Sequence, residues 1–138
     1  MKGFLQVSSR SHYGLRLMTQ LAAANGEFIS LQTIAKREKL SLGYLEELAG
    51  HLRRHRLITA ARGAHGGYKL AKPSEKISIA DIIAALEGST ETLACVGNNS
   101  NYHCPLQSRC PSRLVWQRLN EEINKILASQ TLADLKSN

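Results

Sequence analysis

The stretch SLGYLEELAGHLRRHRLITAARGAHGGYKLA, residues 41–71, decides the fold. Leu42, Leu45, Leu48, Ala49 and Leu52 recur at helical spacing, so a helix with one apolar face follows Ser41. Ser41 is a suitable N-cap, because its hydroxyl can accept a free N–H of the first turn. After His55 the period changes. Residues 57–61 and 68–71 read as two short strands around RGAHGG, which predicts a hairpin with a glycine-rich tip and Arg62 at its base.

Upstream, SLQTIAKREK places Leu31, Ile34 and Ala35 inward on a second helix that Ser30 can cap. Leu40-Ser41 is a short break between the two. Two helices joined so closely, the second opening with small and polar side chains, read as a helix-turn-helix. Further upstream, residues 11–25 put Tyr13, Leu17, Leu21 and Ala24 on one face with Met18 beside it, and Asn25-Gly26 ends that helix. A helix-turn-helix followed at once by a basic hairpin is a winged helix.

That arrangement carries its own chemistry. The second helix enters the DNA major groove with its amino-terminal residues toward the base edges, here Ser41, Gly43, Tyr44, Glu46 and Glu47. Arg62 suits a minor groove, whose narrow walls concentrate negative potential. Gly63, Gly66 and Gly67 leave backbone free to approach phosphates, although a plain tight turn uses glycine equally. Arg53, Arg54 and Arg56 either meet phosphates or solvate the helix end.

Charge agrees with this reading. The chain has 138 residues and a net charge of +7. Residues 36–76 carry ten Lys/Arg against four Asp/Glu, whereas residues 77–138 carry five against six. A basic half beside a nearly neutral half suits a polyanion on one face and something else on another. There is no apolar run of the ~18 residues a membrane span needs and no secretion signal, so a cytoplasmic location is expected. No phosphate-cradling loop, glycine-flanked serine or Asp/His pairing suggests an enzyme. An electron carrier would leave the basic excess unexplained.

Beyond the wing, Pro73-Ser74 marks a turn. ISIADIIAALEG then lines up Ile79, Ile82, Ile83 and Leu86 as a helix ended by Gly88. Residues 88–110 show no periodicity, and a loop longer than ~12–15 residues in a small domain is usually functional or disordered. PSRLVWQRLNEEINKILASQ follows as a long helix with Val115, Leu119, Ile123 and Ile126 on one stripe, and Pro111 suits its first turn. In a domain this small such a stripe is expected to find its partner in a second subunit, giving a homodimer that reads two half-sites. The expected fold is mainly α with a small β-wing. Its parts are a winged helix-turn-helix domain over 1–87, a cysteine-containing loop over 88–110, and a dimerisation helix with tail over 111–138.

The chain resembles the BadM/Rrf-type winged-helix regulators over essentially its whole length. The resemblance rests on LSLGYLEELAGHLRRHRLI, on RGAHGGYKLAKP, on three cysteines before the last long helix and on the ending TLADL. It is nearest the family's iron–sulfur cluster assembly regulators and is also similar to its nitric-oxide-sensing repressors. The family's cysteine-metabolism repressors have a similar recognition helix without the cysteine triplet. The resemblance implies a transcription regulator that binds a double-stranded DNA operator through Ser41, Tyr44, Glu46, Arg53 and Arg62, with Gly66 in the wing. A carboxylate such as Glu46 costs affinity near phosphates but can accept from cytosine N4, which would serve base choice. Gly43 stands where close relatives often carry a polar residue.

All three cysteines, Cys95, Cys104 and Cys110, lie in CVGNNSNYHCPLQSRC at spacing Cys-x8-Cys-x5-Cys. The second gap matches the family, and the first is longer. The resemblance implies an iron–sulfur cluster, 2Fe–2S or 4Fe–4S, on three thiolates with one position left for another donor. Some relatives use a histidine three residues after the last cysteine, where this chain has Arg113, which is no ligand. Others use a carboxylate from the first helix of the partner subunit, and His12 holds that place. His103 is the competing fourth ligand. Zinc on the three thiols with His103, a metal-free thiol switch and inert structural cysteines are the other readings.

Overall fold

A computed structural model of the chain describes residues 3–97 and 102–135. Residues 98–101 of the expected 88–110 loop and 136–138 of the expected tail lie outside these.

The helix-turn-helix forms as its sequence suggests. Helix α1 spans Ser9–Ala23, α2 Leu31–Glu38 and α3 Leu42–Arg54. Each starts on a serine whose hydroxyl accepts a first-turn N–H: Ser8 from Ser11, Ser30 from Thr33 and Ser41 from Tyr44. Helix α2 closes on Lys39 in a left-handed conformation (φ +57°), which turns the chain sharply into Leu40 and Ser41. Helix α1 ends as expected at Asn25 and Gly26, both with positive φ.

The wing is the antiparallel pair β1 Ile58–Ala61 and β2 Gly67–Leu70, in register Ile58↔Leu70 to Ala61↔Gly67. Strand β2 is tied, near the tip end of the hairpin, to Ile29 just before the Ser30 cap of α2. The Ile29 N–H donates to the Tyr68 carbonyl at 3.0 Å, and the Tyr68 N–H returns a bond to the Ile29 carbonyl at 2.9 Å. This tie explains one of the glycines that the sequence leaves open between turn and phosphate contact, and the hairpin's own turn explains another. A Cβ on Gly67 (φ +136°) would lie 2.4 Å from the Ile29 carbonyl oxygen, and one on Gly66 would lie 2.2 Å from that of Ala61. Backbone crowding alone therefore requires both to be glycine.

A one-turn 3-10 segment, Ser74–Lys76, leads to α4, Ile79–Glu87. Ser78 and Asp81 form a full capping box at its start, and Gly88 (φ +85°) ends it. Helix α5 covers Arg113–Ser129, so Pro111 stands just before the helix rather than in its first turn. The core draws chiefly on helices α1 to α4. Leu17, Met18 and Leu21 of α1, Ile34 of α2, Leu45, Leu48 and Leu52 of α3, and Ile82 and Leu86 of α4 are all buried. The chain's end returns to this core. A short 3-10 turn, Leu132–Leu135, buries Leu132 completely, and the Leu132 N–H donates to the Ile77 carbonyl at 2.8 Å.

The amino end of α1 is pinned to the carboxyl end of α4. The Ser11 hydroxyl donates to a Glu87 carboxylate oxygen at 2.7 Å, and the Ser8 hydroxyl donates to the same oxygen. These bonds, Ser8's the larger, and Arg10 hold the Glu87 carboxyl below its usual range, against the opposing effect of burial. A carboxyl lowered on folding contributes stability that is present above its unfolded pKa. That contribution is lost as pH falls through the folded pKa. Acid should therefore loosen this joint, first below the usual glutamate pKa of about 4.3. The melting temperature of Glu87→Gln is expected to be lower than wild type at neutral pH and to fall less steeply in that acid window, as followed by circular dichroism.

Candidate nucleic-acid interface and thiol segment

Helix α3 is held by a fully buried leucine stripe, so its opposite face is free. Ser41, Gly43, Glu46 and Glu47 are exposed at its amino end, and Arg53, Arg54 and His55 at its carboxyl end. The wing tip, Arg62 to His65, is exposed throughout. Between them lies a cleft of about 660 Å³ bounded by Glu46, the wing glycines Gly63, Gly66 and Gly67, and the first turn of α2, Ser30 to Gln32. Sequence reading missed the α2 side of this cleft, because Ser30 registers there only as a cap.

The two carboxylates at the front of α3 differ in position. Glu47 pairs with Arg10 of α1 at 3.6 Å, and Arg10 also donates to the Leu86 carbonyl at 3.3 Å. Glu46 faces the cleft instead. Tyr44, expected at the exposed front of the helix, is half-buried. Its ring meets Tyr13 edge-on with centroids 6.1 Å apart, and His12 lies against Tyr13 at 4.9 Å. The front of α3 is thus packed on α1 through aromatic contacts that periodicity does not reveal, since Tyr13 serves the α1 stripe as well.

The thiol segment is fastened to α5 by polar bonds. Asn120, the residue of α5 that is buried, accepts from the Thr92 N–H at 2.8 Å and from the Thr92 hydroxyl at 3.2 Å. Asn124 donates to the Thr90 carbonyl at 3.2 Å and accepts from the Thr90 hydroxyl. Both asparagines escape a reading built on apolar stripes. Arg113 donates to the Cys95 carbonyl at 3.2 Å. Cys95, Cys104 and Cys110 are free of disulfides and partly exposed. The Cys110 thiol is lowered by the hydroxyl of Ser112, 3.4 Å away, and by the Ser112 N–H, with a lesser contribution from Arg113.

A recognition helix seated on a core, a turn before it and a wing behind it define a winged helix-turn-helix, the fold of DNA-binding transcription regulators. More particularly, the chain belongs to the Rrf2 family of iron-dependent transcriptional regulators, whose sequence model matches residues 7–138. It is 36% identical over 132 residues to protein rrf2 of Nitratidesulfovibrio vulgaris, covering 95% of this chain and 87% of that one. Among solved structures it is similar to CymR (YrzC), the global cysteine regulator of B. subtilis, with 34% identity, a TM-score of 0.77 and coverage of 97% and 98%. The IscR of T. potens has 36% identity, a TM-score of 0.73 and coverage of 97% and 88%.

An iron–sulfur group is the cofactor the sequence resemblance implies, and its fit here divides. Three unbridged thiols on one segment are suitable donors. Their placement is not that of a closed centre: among the described residues, no three His, Cys, Asp or Glu side chains gather to hold a metal. The expected set of Cys95, Cys104, Cys110 and His12 is therefore not assembled within one chain. His12 is exposed at the first turn of α1, where a second chain can reach it, and His103 is exposed on the segment itself.

Proposed function

We propose that this regulator reads a DNA operator as a homodimer and answers to iron–sulfur supply or to a reactive small molecule through its thiol segment. The observation that carries the DNA side is the shared cleft, which places Glu46 of α3 opposite the wing. In this reading Ser41, Tyr44 and Glu46 meet base edges or the adjoining backbone. Arg53 meets phosphate, Arg62 enters the minor groove, and the Gly66 backbone lies close to the strand. Helices of the described residues are neither long nor apolar enough to cross a membrane, in keeping with a regulator that works on the cytoplasmic chromosome.

Arg62→Ala should weaken operator binding by about 1–3 kcal/mol with the fold intact, since an exposed wing tip packs against nothing. Glu46→Ala should relax base preference more than it lowers affinity. Fluorescence anisotropy with operator and scrambled duplexes at several salt concentrations measures both. Unchanged operator affinity in Arg62→Ala would remove the wing from the interface.

Dimerisation rests on apolar surface left uncovered by the chain. Leu114, Val115 and Ile126 of α5 are 77%, 62% and 58% exposed, while Leu119 and Ile123 of the same stripe are half-buried. Phe4 and Val7 are also exposed, and Phe4 lies 6.2 Å from Trp116, centroid to centroid. Ile126→Asp should fold normally, because the site is open in the single chain, yet it should sediment as a monomer and lose operator binding. A dimer that survives this change would place the interface elsewhere.

For sensing, Cys95, Cys104 and Cys110 would hold the cluster, with His12 of the partner subunit as the fourth donor. The cluster, when bound, supplies redox and ligand-exchange chemistry. A second reading, a thiol or zinc regulator without a cluster, draws on the Cys110 thiol, lowered by the Ser112 hydroxyl. Absorption spectra of anaerobically purified protein decide between them. A cluster spectrum abolished by Cys→Ser at each position and altered by His12→Ala, but not by His103→Ala, is the expected result. Absence of any cluster from protein isolated and reconstituted anaerobically would favour the second reading.

A further inference from the structure

We propose that Arg113 is the positioning residue of the thiol segment, closing Cys95 and Cys110 onto the start of α5. The proposal rests on the reading of that segment as the sensory element, but the geometry that carries it is made by the chain's own atoms. One residue reaches both outer cysteines. The Arg113 N–H donates to the Cys110 carbonyl at 3.4 Å, and its guanidinium donates to the Cys95 carbonyl at 3.2 Å. With the Gln107 amide turned so that its oxygen faces the guanidinium, Gln107 accepts from both terminal nitrogens of Arg113, at 3.3 and 3.2 Å. The Gln107 N–H in turn donates to the Cys104 carbonyl at 3.1 Å. The turn that carries the middle cysteine is thereby drawn to the same cation.

The side-chain type matters for this role. A guanidinium is a planar fork with several donors, so it can serve Cys95 and Gln107 together, whereas an ammonium is a single point of charge. Arg113 is half-buried at the first position of α5, so the fork starts from a regular helix rather than from a mobile stem. Everything it holds lies in turns without a ladder of their own. Such segments open locally at little cost unless tied.

The test uses the full-length, metal-free, reduced protein. Amide hydrogen exchange and site-resolved alkylation by iodoacetamide are followed by mass spectrometry in wild type, Arg113→Ala, Arg113→Lys and Gln107→Ala. In Arg113→Ala, exchange over 93–97 and 104–110 and alkylation of Cys95 should rise about fivefold or more, the scale of one lost hydrogen bond, while α1 to α4 exchange as in wild type. Gln107→Ala, which leaves α5 untouched, should raise exchange over 104–110. Arg113→Lys should not restore protection. Wild-type rates in Arg113→Ala would overturn the proposal, as would a fully protected Arg113→Lys. These readings are taken without a cluster, so a failed clamp leaves the cluster proposal standing. A sound clamp in a protein that never takes up iron removes the cluster proposal alone.

Discussion

Helix α1 can lie directly on α4 because residue 14 has no side chain, and the rest of the structure depends on that contact. A Cβ on Gly14 would sit 2.3 Å from a methyl carbon of Leu86, and Leu86 is itself buried with little room to retreat. The approach brings Leu17, Met18 and Leu21 into one core with Ile82 and Leu86. The leucines of α3 then have a wall to bury against. Dispersion and the removal of apolar surface from water stabilise this seam without directionality. The glycine adds the missing specificity, because it admits one depth of approach.

The consequence is that α1 stands between the thiol segment and the front of α3. Its first turn holds Ser8, Arg10, Ser11, His12 and Tyr13. Ser8 and Ser11 grip Glu87, the last residue of α4, one step before the thiol segment begins at Gly88. Arg10 and Tyr13 reach α3 through Glu47 and Tyr44. One turn of helix thus touches both the exit toward the thiols and the front of the recognition helix. The coupling that the proposed function calls for, between the thiol segment and α3, requires some element that both can bias. This turn touches both, and its bonds to Glu87 are of a kind that pH and local charge can alter.

Much of this was legible in the sequence, and the boundary of legibility has a physical cause. The three helices, the wing and the exposure of Arg62 follow from period, caps and turn residues, which are local and repeat at fixed intervals. What escaped was made by contacts between distant positions. Gly14 reads as an ordinary helix interior until Leu86 is placed beside it. Gly66 and Gly67 read as a flexible tip until Ile29 and Ala61 are seen to crowd them. Tyr44 reads as a solvent-facing contact until Tyr13 covers its edge. The thiol segment is the extreme case: without periodicity, only its donor types and spacing could be read. How its carbonyls are held, and by Arg113, is a property of three dimensions.

The same distinction explains the two faces of α5. An amphipathic helix is ordinarily held by its apolar stripe, and the stripe of Val115, Leu119, Ile123 and Ile126 suggests as much. Here Asn120 and Asn124 make the ties to the thiol segment, through the backbone and hydroxyls of Thr90 and Thr92. A buried amide is tolerated where its polar atoms are paired, and the Asn120 side-chain oxygen accepts two bonds from Thr92. Hydrogen bonds fix register and direction where apolar contact would allow sliding. A helix fastened to its own thiol segment by polar bonds can leave Leu114, Val115 and Ile126 in solvent at modest cost to the chain. Exposed apolar side chains of that kind, toward both ends of one helix, suit the homodimer proposed above. The polar clasp and the open stripe are therefore one design. Whatever moves the thiol segment must pull on α5, and whatever holds α5 to another chain steadies the segment.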